Sequence, residues 1–250
     1  MLAFKDNDSE QPVSAIKYTD AAFYDGTMPL QKQNLSYASK KRGFFSVAHH
    51  QQKMEFYVTG GDVHQARGLM RRQEWKSSAL VEIYNFGANQ WRNGPNLNVA
   101  RRYHSSCSLR DHIYVIGGTN ETDEYFGSIE ILDMNIPRPQ KWALLNQDVF
   151  SPRMSAAVIP INDTQFVIIG GFNNFGDGEL KDSFVYMGNN SFRRVADIPQ
   201  AGLCRSNVHI AAESTAFSFY IAEPRDGKQR LLMGFRPSSD QIVVFESFGK

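Results

Sequence analysis

HIYVIGGTN, residues 112–120, decides how the chain is read. Five residues suited to a buried strand run directly into two glycines. A strand interior avoids glycine, which costs backbone entropy and offers no side chain to pack. The same arrangement recurs at EFYVTGGDV (55–63) and QFVIIGGFN (165–173). The glycine pairs begin at 60, 117 and 170, so the intervals are 57 and 53 residues. A period near fifty is the signature of a repeat architecture.

Two further markers keep this beat. Trp91, Trp142 and Phe192 are spaced by 51 and 50 residues, each just after a turn-rich stretch. Arginines open the segments RGFFSV (42–47), RYHSSC (102–107), RMSAAV (153–158) and RSNVHI (205–210), at intervals of 60, 51 and 52. Each period divides into four strands. The first strands are FFSVAHH, HSSCSL, SAAVIPI and NVHIAAE; the second are the three glycine-terminated runs and AFSFYIAE. The third are VEIYNF, SIEILDM, DSFVYM and RLLMGF, and the fourth start at QWRNGPNL, KWALL, SFRRVADI and QIVVFES. Such spacing and turn chemistry predict an all-β chain of antiparallel meanders. The second strands are apolar on both faces, so each sheet needs a neighbour on either side. Radial stacking of sheets meets that need and predicts a β-propeller.

The order "apolar run, Gly-Gly, loop, strand, turn, Trp, Arg" resembles the kelch repeat. The resemblance extends over residues 14–250 and is strongest at 42–97 and 102–145. It implies a kelch-type propeller of four full four-stranded blades plus a partial N-terminal blade. In that partial blade SAIKYT (14–19) and AFYDGTMPL (22–30) are the expected third and fourth strands, with Tyr24 in the tryptophan place. Residues 1–13 are expected to precede the propeller as a tail. Kelch propellers usually close with six or seven blades. This chain is therefore expected as a five-bladed ring with an incomplete closing blade, as an open arc, or as part of a longer ancestral ring. An open arc exposes blade faces and self-associates.

Composition narrows the partner classes. Lys plus Arg is 27 and Asp plus Glu is 26, a net charge of +1. That balance predicts neither a nucleic acid nor an anionic membrane as partner. No apolar run has the length of a membrane span or of a signal-peptide core, which points to a cytoplasmic protein. Two cysteines, Cys107 and Cys204, are too few for a disulfide framework and read as buried thiols. The histidines (49, 50, 64, 104, 112 and 209) show no metal-ligand spacing. No catalytic residue, metal or cofactor is assigned.

The segments after the glycine pairs carry the candidate chemistry. DVHQARGLMRRQEWKSS (62–78) combines Arg71 and Arg72 with Trp75, the composition of an interface hot spot. TNETDEYFG (119–127) is acidic beside Tyr125 and Phe126, and FNNFGDGELK (172–181) offers Phe172 and Phe175. In a propeller these segments share a face with the turns carrying Arg102, Tyr103, His104, Arg153 and Arg205. These residues form the candidate partner-binding set for another protein, on a non-catalytic scaffold. The kelch resemblance also admits an alternative, a small-molecule enzyme such as a sugar isomerase or oxidase.

Overall fold

In the computed structural model the described residues are 2–5, 14–18, 32–37, 42–67, 72–137, 140–145, 150–174, 178–198, 218–222, 229–236 and 238–249. All regular structure among them is β. Three four-stranded sheets follow one another, and each is a simple antiparallel meander. The first uses Ser46–His50, Glu55–Thr59, Val81–Asn85 and Gln90–Asn93. The second uses Ser105–Leu109, His112–Ile116, Ile129–Asp133 and Ala143–Leu145. The third uses Ala157–Pro160, Phe166–Ile169, Ser183–Tyr186 and Phe192–Val195.

A further sheet shows three described strands, Ser218–Ala222, Gln229–Arg236 and Gln241–Gly249. Its expected first strand, 207–213, lies outside the described residues. The N-terminal sheet orders Leu2–Lys5, Ser14–Tyr18 and Lys32–Tyr37. The strand expected at 14–19 is there. The next described strand is 32–37, and the expected strand at 22–30, with Tyr24, lies outside the described residues. Within the expected tail, 2–5 pairs with 14–18.

The alternation of a strand explains why the second strands are apolar on both faces. Ile113 and Val115 join Tyr57, Ile83 and Leu97 in the core between the first two sheets. Tyr114 and Ile116 point the other way, into the core with Phe166, Ile168 and Val158 of the third sheet. Val167 and Ile169 in turn reach Phe235 and Ile242. Each such side chain removed from water contributes about 1.5–3 kcal/mol. A strand in this position cannot show a polar face.

Two of the three spaced aromatics, Trp142 and Phe192, fill the same seams. Trp142 is buried among first-sheet residues, and its Nε1–H donates to the Pro95 carbonyl at 2.8 Å. Phe192 packs edge-on against Phe150, at 5.8 Å and 70°. Small residues on the first strands let these strands approach one another at the axis. The hydroxyls of Ser46 and Ser106 lie 2.7 Å apart, and Ser105 donates to the Ala156 carbonyl at 2.5 Å.

The segment 62–78, expected as a loop, is instead largely a paired ribbon. Asp62–Arg67 and Arg72–Ser77 run antiparallel and join the short strand Arg42–Gly43. Its sequence lacks the alternating apolar residues that mark a half-buried strand, because it is added at the end of the first sheet and not stacked between two.

Candidate functional site

The site is built around a buried clasp that repeats in each of the three four-stranded sheets. Arg42, Arg101 and Arg153 are buried side chains. The Nη1 of Arg101 donates to the Gly117 carbonyl at 2.8 Å, and its Nη2 donates to Glu130 at 2.9 Å. Arg42 does the same with Gly60 at 3.1 Å and Glu82 at 2.5 Å. Arg153 reaches Gly170 at 2.9 Å and grips both carboxylate oxygens of Asp182 at 2.9 Å. The backbone completes the clasp across the seam. The Gly61 N–H donates to the Arg101 carbonyl and the Gly118 N–H to the Arg153 carbonyl, both at 2.8 Å. The double glycines are therefore the points where one sheet is stitched to the next.

The third clasp differs in register. Val58 pairs with Glu82 and Val115 with Glu130, whereas the matching Ile168 pairs with Phe184. The acid has moved two residues earlier, to Asp182, and the Phe184 ring lies 5.4 Å from the Arg153 guanidinium. Glu130 and Glu82 have side chains 0% and 2% exposed, while Asp182 is 21% exposed. Burial pulls Arg101 and Arg42 below the ordinary arginine range, opposed by their glutamates.

This clasp corrects two sequence readings. Arg153 was expected on a partner-binding face; it is buried, its charge is matched within its own sheet, and it holds that sheet together. The fifty-residue spacing points to Arg102 as the repeat's arginine, but Arg101 occupies that place and Arg102 is one residue out of phase. Interval counting cannot separate two adjacent arginines. The signal that could have done so is the acid of the third strand, Glu82 in VEIY and Glu130 in IEIL.

Just beyond each clasp the chain turns with a left-handed residue. Phe44, Tyr103 and Ser155 have φ of 55°, 52° and 52°. They are linked in series around the axis. Tyr103 N–H donates to the Phe44 carbonyl at 3.1 Å, and Ser155 N–H to the Tyr103 carbonyl at 2.8 Å. The residues after the glycine pairs line up beside them: Asp62 pairs with Gly43, Thr119 with Arg102, and Phe172 with Met154. The result is one rim where several candidate residues meet. The rings of Phe44 and Tyr103 are 4.4 Å apart, and those of Tyr125 and Phe172 are 6.3 Å apart. Arg102 lies 5.6 Å from the Tyr103 ring and ion-pairs with Asp62 at 2.9 Å.

Other candidates fall elsewhere. Phe126 is half-buried and lies 5.1 Å from the Arg101 guanidinium, so it covers the clasp. Trp75 sits on the ribbon, 37% exposed. Arg72 opens the second ribbon strand; its side chain, and all of Arg71, Phe175 and Arg205, lie outside what is described. So does Cys204, while Cys107 is buried and its thiol is pushed up by that burial. No group of three or more His, Cys, Asp or Glu that could hold a metal occurs among the described residues.

His104, a candidate for the exposed face, is instead buried. Its Nε2 lies 2.9 Å from the Thr59 hydroxyl. Desolvation, with the nearby Arg101 and Arg42 charges, lowers its pKa from 6.5 to about 3. The unfolded chain therefore binds a proton that the folded chain refuses across this window. The contribution to stability is complete above about pH 6.5 and is lost as pH falls toward 3, at up to about 1.4 kcal/mol per unit. His104→Gln keeps a hydrogen-bonding group and removes the titration. Urea unfolding between pH 6.5 and 3.5 is expected to show a flatter loss for the variant; parallel slopes would contradict this assignment.

These features agree with comparisons to known proteins. The Kelch motif family matches residues 100–135, which span the clasp from Arg101 to Glu130. Kelch-like protein 38 of Rattus norvegicus is 32% identical over 116 residues, 46% of this chain and 18% of that protein. Beta-scruin of Limulus polyphemus is 25% identical over 183 residues, 72% of this chain and 18% of that protein. An F-box/kelch-repeat protein of Arabidopsis thaliana is 32% identical over 119 residues, 48% of this chain and 25% of that protein. The matched region spans about a fifth to a quarter of these relatives. The solved structure of YjhT superposes with a TM-score of 0.66 at 14% identity, over 98% of this chain and 80% of that one. The fold is that of a β-propeller. A kelch motif is present at residues 100–135, and the chain is similar to kelch-repeat proteins.

Proposed function

We propose that the chain is a non-catalytic scaffold that binds another protein through the rim at the glycine-pair end of its sheets. One observation carries this reading: Arg102, Tyr103, Phe44, Tyr125 and Phe172, contributed by successive repeats, come together there. Arginine and aromatic side chains, held by a rigid framework, are the groups that supply most of the free energy in protein interfaces. The clasps hold the sheets beneath in one geometry, so little ordering cost falls on binding. The kelch-repeat relatives are consistent with a binding role. No helix among the described residues is long and apolar enough to cross a membrane.

The test is recovery of partners on immobilised protein, quantified by mass spectrometry. A double variant, Tyr125→Ala with Phe172→Ala, is expected to lose at least about tenfold of the specific partner, since two such anchors each contribute on the order of 1–2 kcal/mol. Equal recovery by both proteins, with unchanged melting, contradicts the choice of this face.

A further inference from the structure

Arg102 is held unevenly. Its Nη1 donates to Oδ2 of Asp62 at 2.9 Å, and that carboxyl has no exposed surface. Its Nη2 faces Oδ1 of Asp123 at 3.5 Å, and the Asp123 side chain is 72% exposed. One half of the guanidinium is thus fixed from below and stacked beside Tyr103, while the other half meets a loosely placed surface acid. The guanidinium side chain keeps 19% of its own exposure.

The loop carrying Asp123 is shaped without this contact. The Asn120 side-chain oxygen accepts from the N–H groups of Thr122 and Glu124, both at 3.0 Å, and from the Thr122 hydroxyl at 2.8 Å. The Thr119 hydroxyl donates to the Glu124 carbonyl at 2.9 Å. The N–H of Asp123 donates to the Asn120 carbonyl at 3.2 Å. The Asp123 carboxylate can therefore leave Arg102 while the loop keeps its form.

We infer that Arg102 is a carboxylate-binding residue of the rim, and that Asp123 occupies its outward nitrogen as an internal substitute for a partner's carboxylate. Asp62 and Tyr103 orient the planar fork in advance, which is what a guanidinium needs to receive a carboxylate with little loss of freedom. The inference rests on the interaction reading above and gives that partner its anchoring chemistry.

The probe is a terminally blocked Gly-Glu-Gly peptide, with Gly-Gln-Gly as its uncharged match, titrated into the full chain and followed by the NMR signals of Arg102 and its neighbours. The glutamate peptide is expected to shift them and the glutamine peptide is not. Asp123→Asn removes the internal acid and suits the left-handed backbone there, φ 57°. It is expected to tighten the glutamate peptide about two- to fivefold, the range of an exposed ion pair. Glu121→Gln removes a neighbouring charge that does not touch Arg102 and is expected to leave affinity within about twofold. Equal response to both peptides, no tightening in Asp123→Asn, or equal tightening in Glu121→Gln overturns the inference. If that happens while partner recovery still depends on the rim, this inference alone fails. Carboxylate binding with rim-independent recovery overturns the interaction reading alone.

Discussion

Arg101→Leu is expected to lower the unfolding free energy by about 3–5 kcal/mol, the usual cost of stripping one partner from a buried ion pair. The loss is large because Glu130 stays behind. It has no exposed surface, and it also accepts from the backbone N–H groups of Asn98 at 2.6 Å and Val99 at 3.0 Å. The Gly117 carbonyl loses its guanidinium donor as well. Arg153→Leu should cost less, because Asp182 reaches solvent and can rehydrate when its partner is gone. Chemical denaturation of both variants gives the ranking. A change under about 1 kcal/mol for Arg101→Leu, within the range of an exposed pair, would mean that the clasp does not hold the sheets.

The second large effect is expected at a glycine. A Cβ on Gly117 would sit 2.5 Å from the Arg153 carbonyl oxygen, at a φ of 66°. The obstacle is backbone and cannot swing aside, so the seam must open and the bond from Gly118 N–H to that carbonyl is strained with it. Gly117→Ala is expected to cost about 3 kcal/mol or more, strain and overpacking together. Gly178 separates the two contributions. It has nearly the same φ, 64°, and nothing within 4 Å of an added Cβ. Gly178→Ala should cost only the conformational part, about 1 kcal/mol. Similar losses at the two positions would show that backbone conformation, and not the seam, demands the glycine.

The repeat was legible in the sequence because it rests on short-range rules. The apolar runs at 55–59, 112–116 and 166–169 are all second strands, and each ends at its glycine pair. Trp142 and Phe192, two of the three aromatics that keep the fifty-residue spacing, pack in the seams between sheets. The site was less legible, for reasons that lie in three dimensions. Whether Arg101 or Arg102 is buried depends on an acid some thirty residues away, Glu130. His104 looks like a surface histidine in RYHSS, but it packs against Gly60 and Gly118, which leave room only for its ring. The ribbon at 62–77 is held by cross-strand pairing such as Val63 with Lys76, which leaves no apolar rhythm to detect.

The position of the clasp also says where one module stops and the next begins. Guanidinium, glycine carbonyl and acid come from a single stretch running from arginine to third strand, while the carbonyl of the same arginine receives the preceding stretch. A segment cut from one arginine to just before the following one carries its internal ion pair intact and offers the same acceptor to whatever stands upstream. Cut at the first strand, it would leave its cation behind. Gene duplication and laboratory grafting alike should therefore favour arginine-to-arginine boundaries, even though the strands suggest a different place to cut.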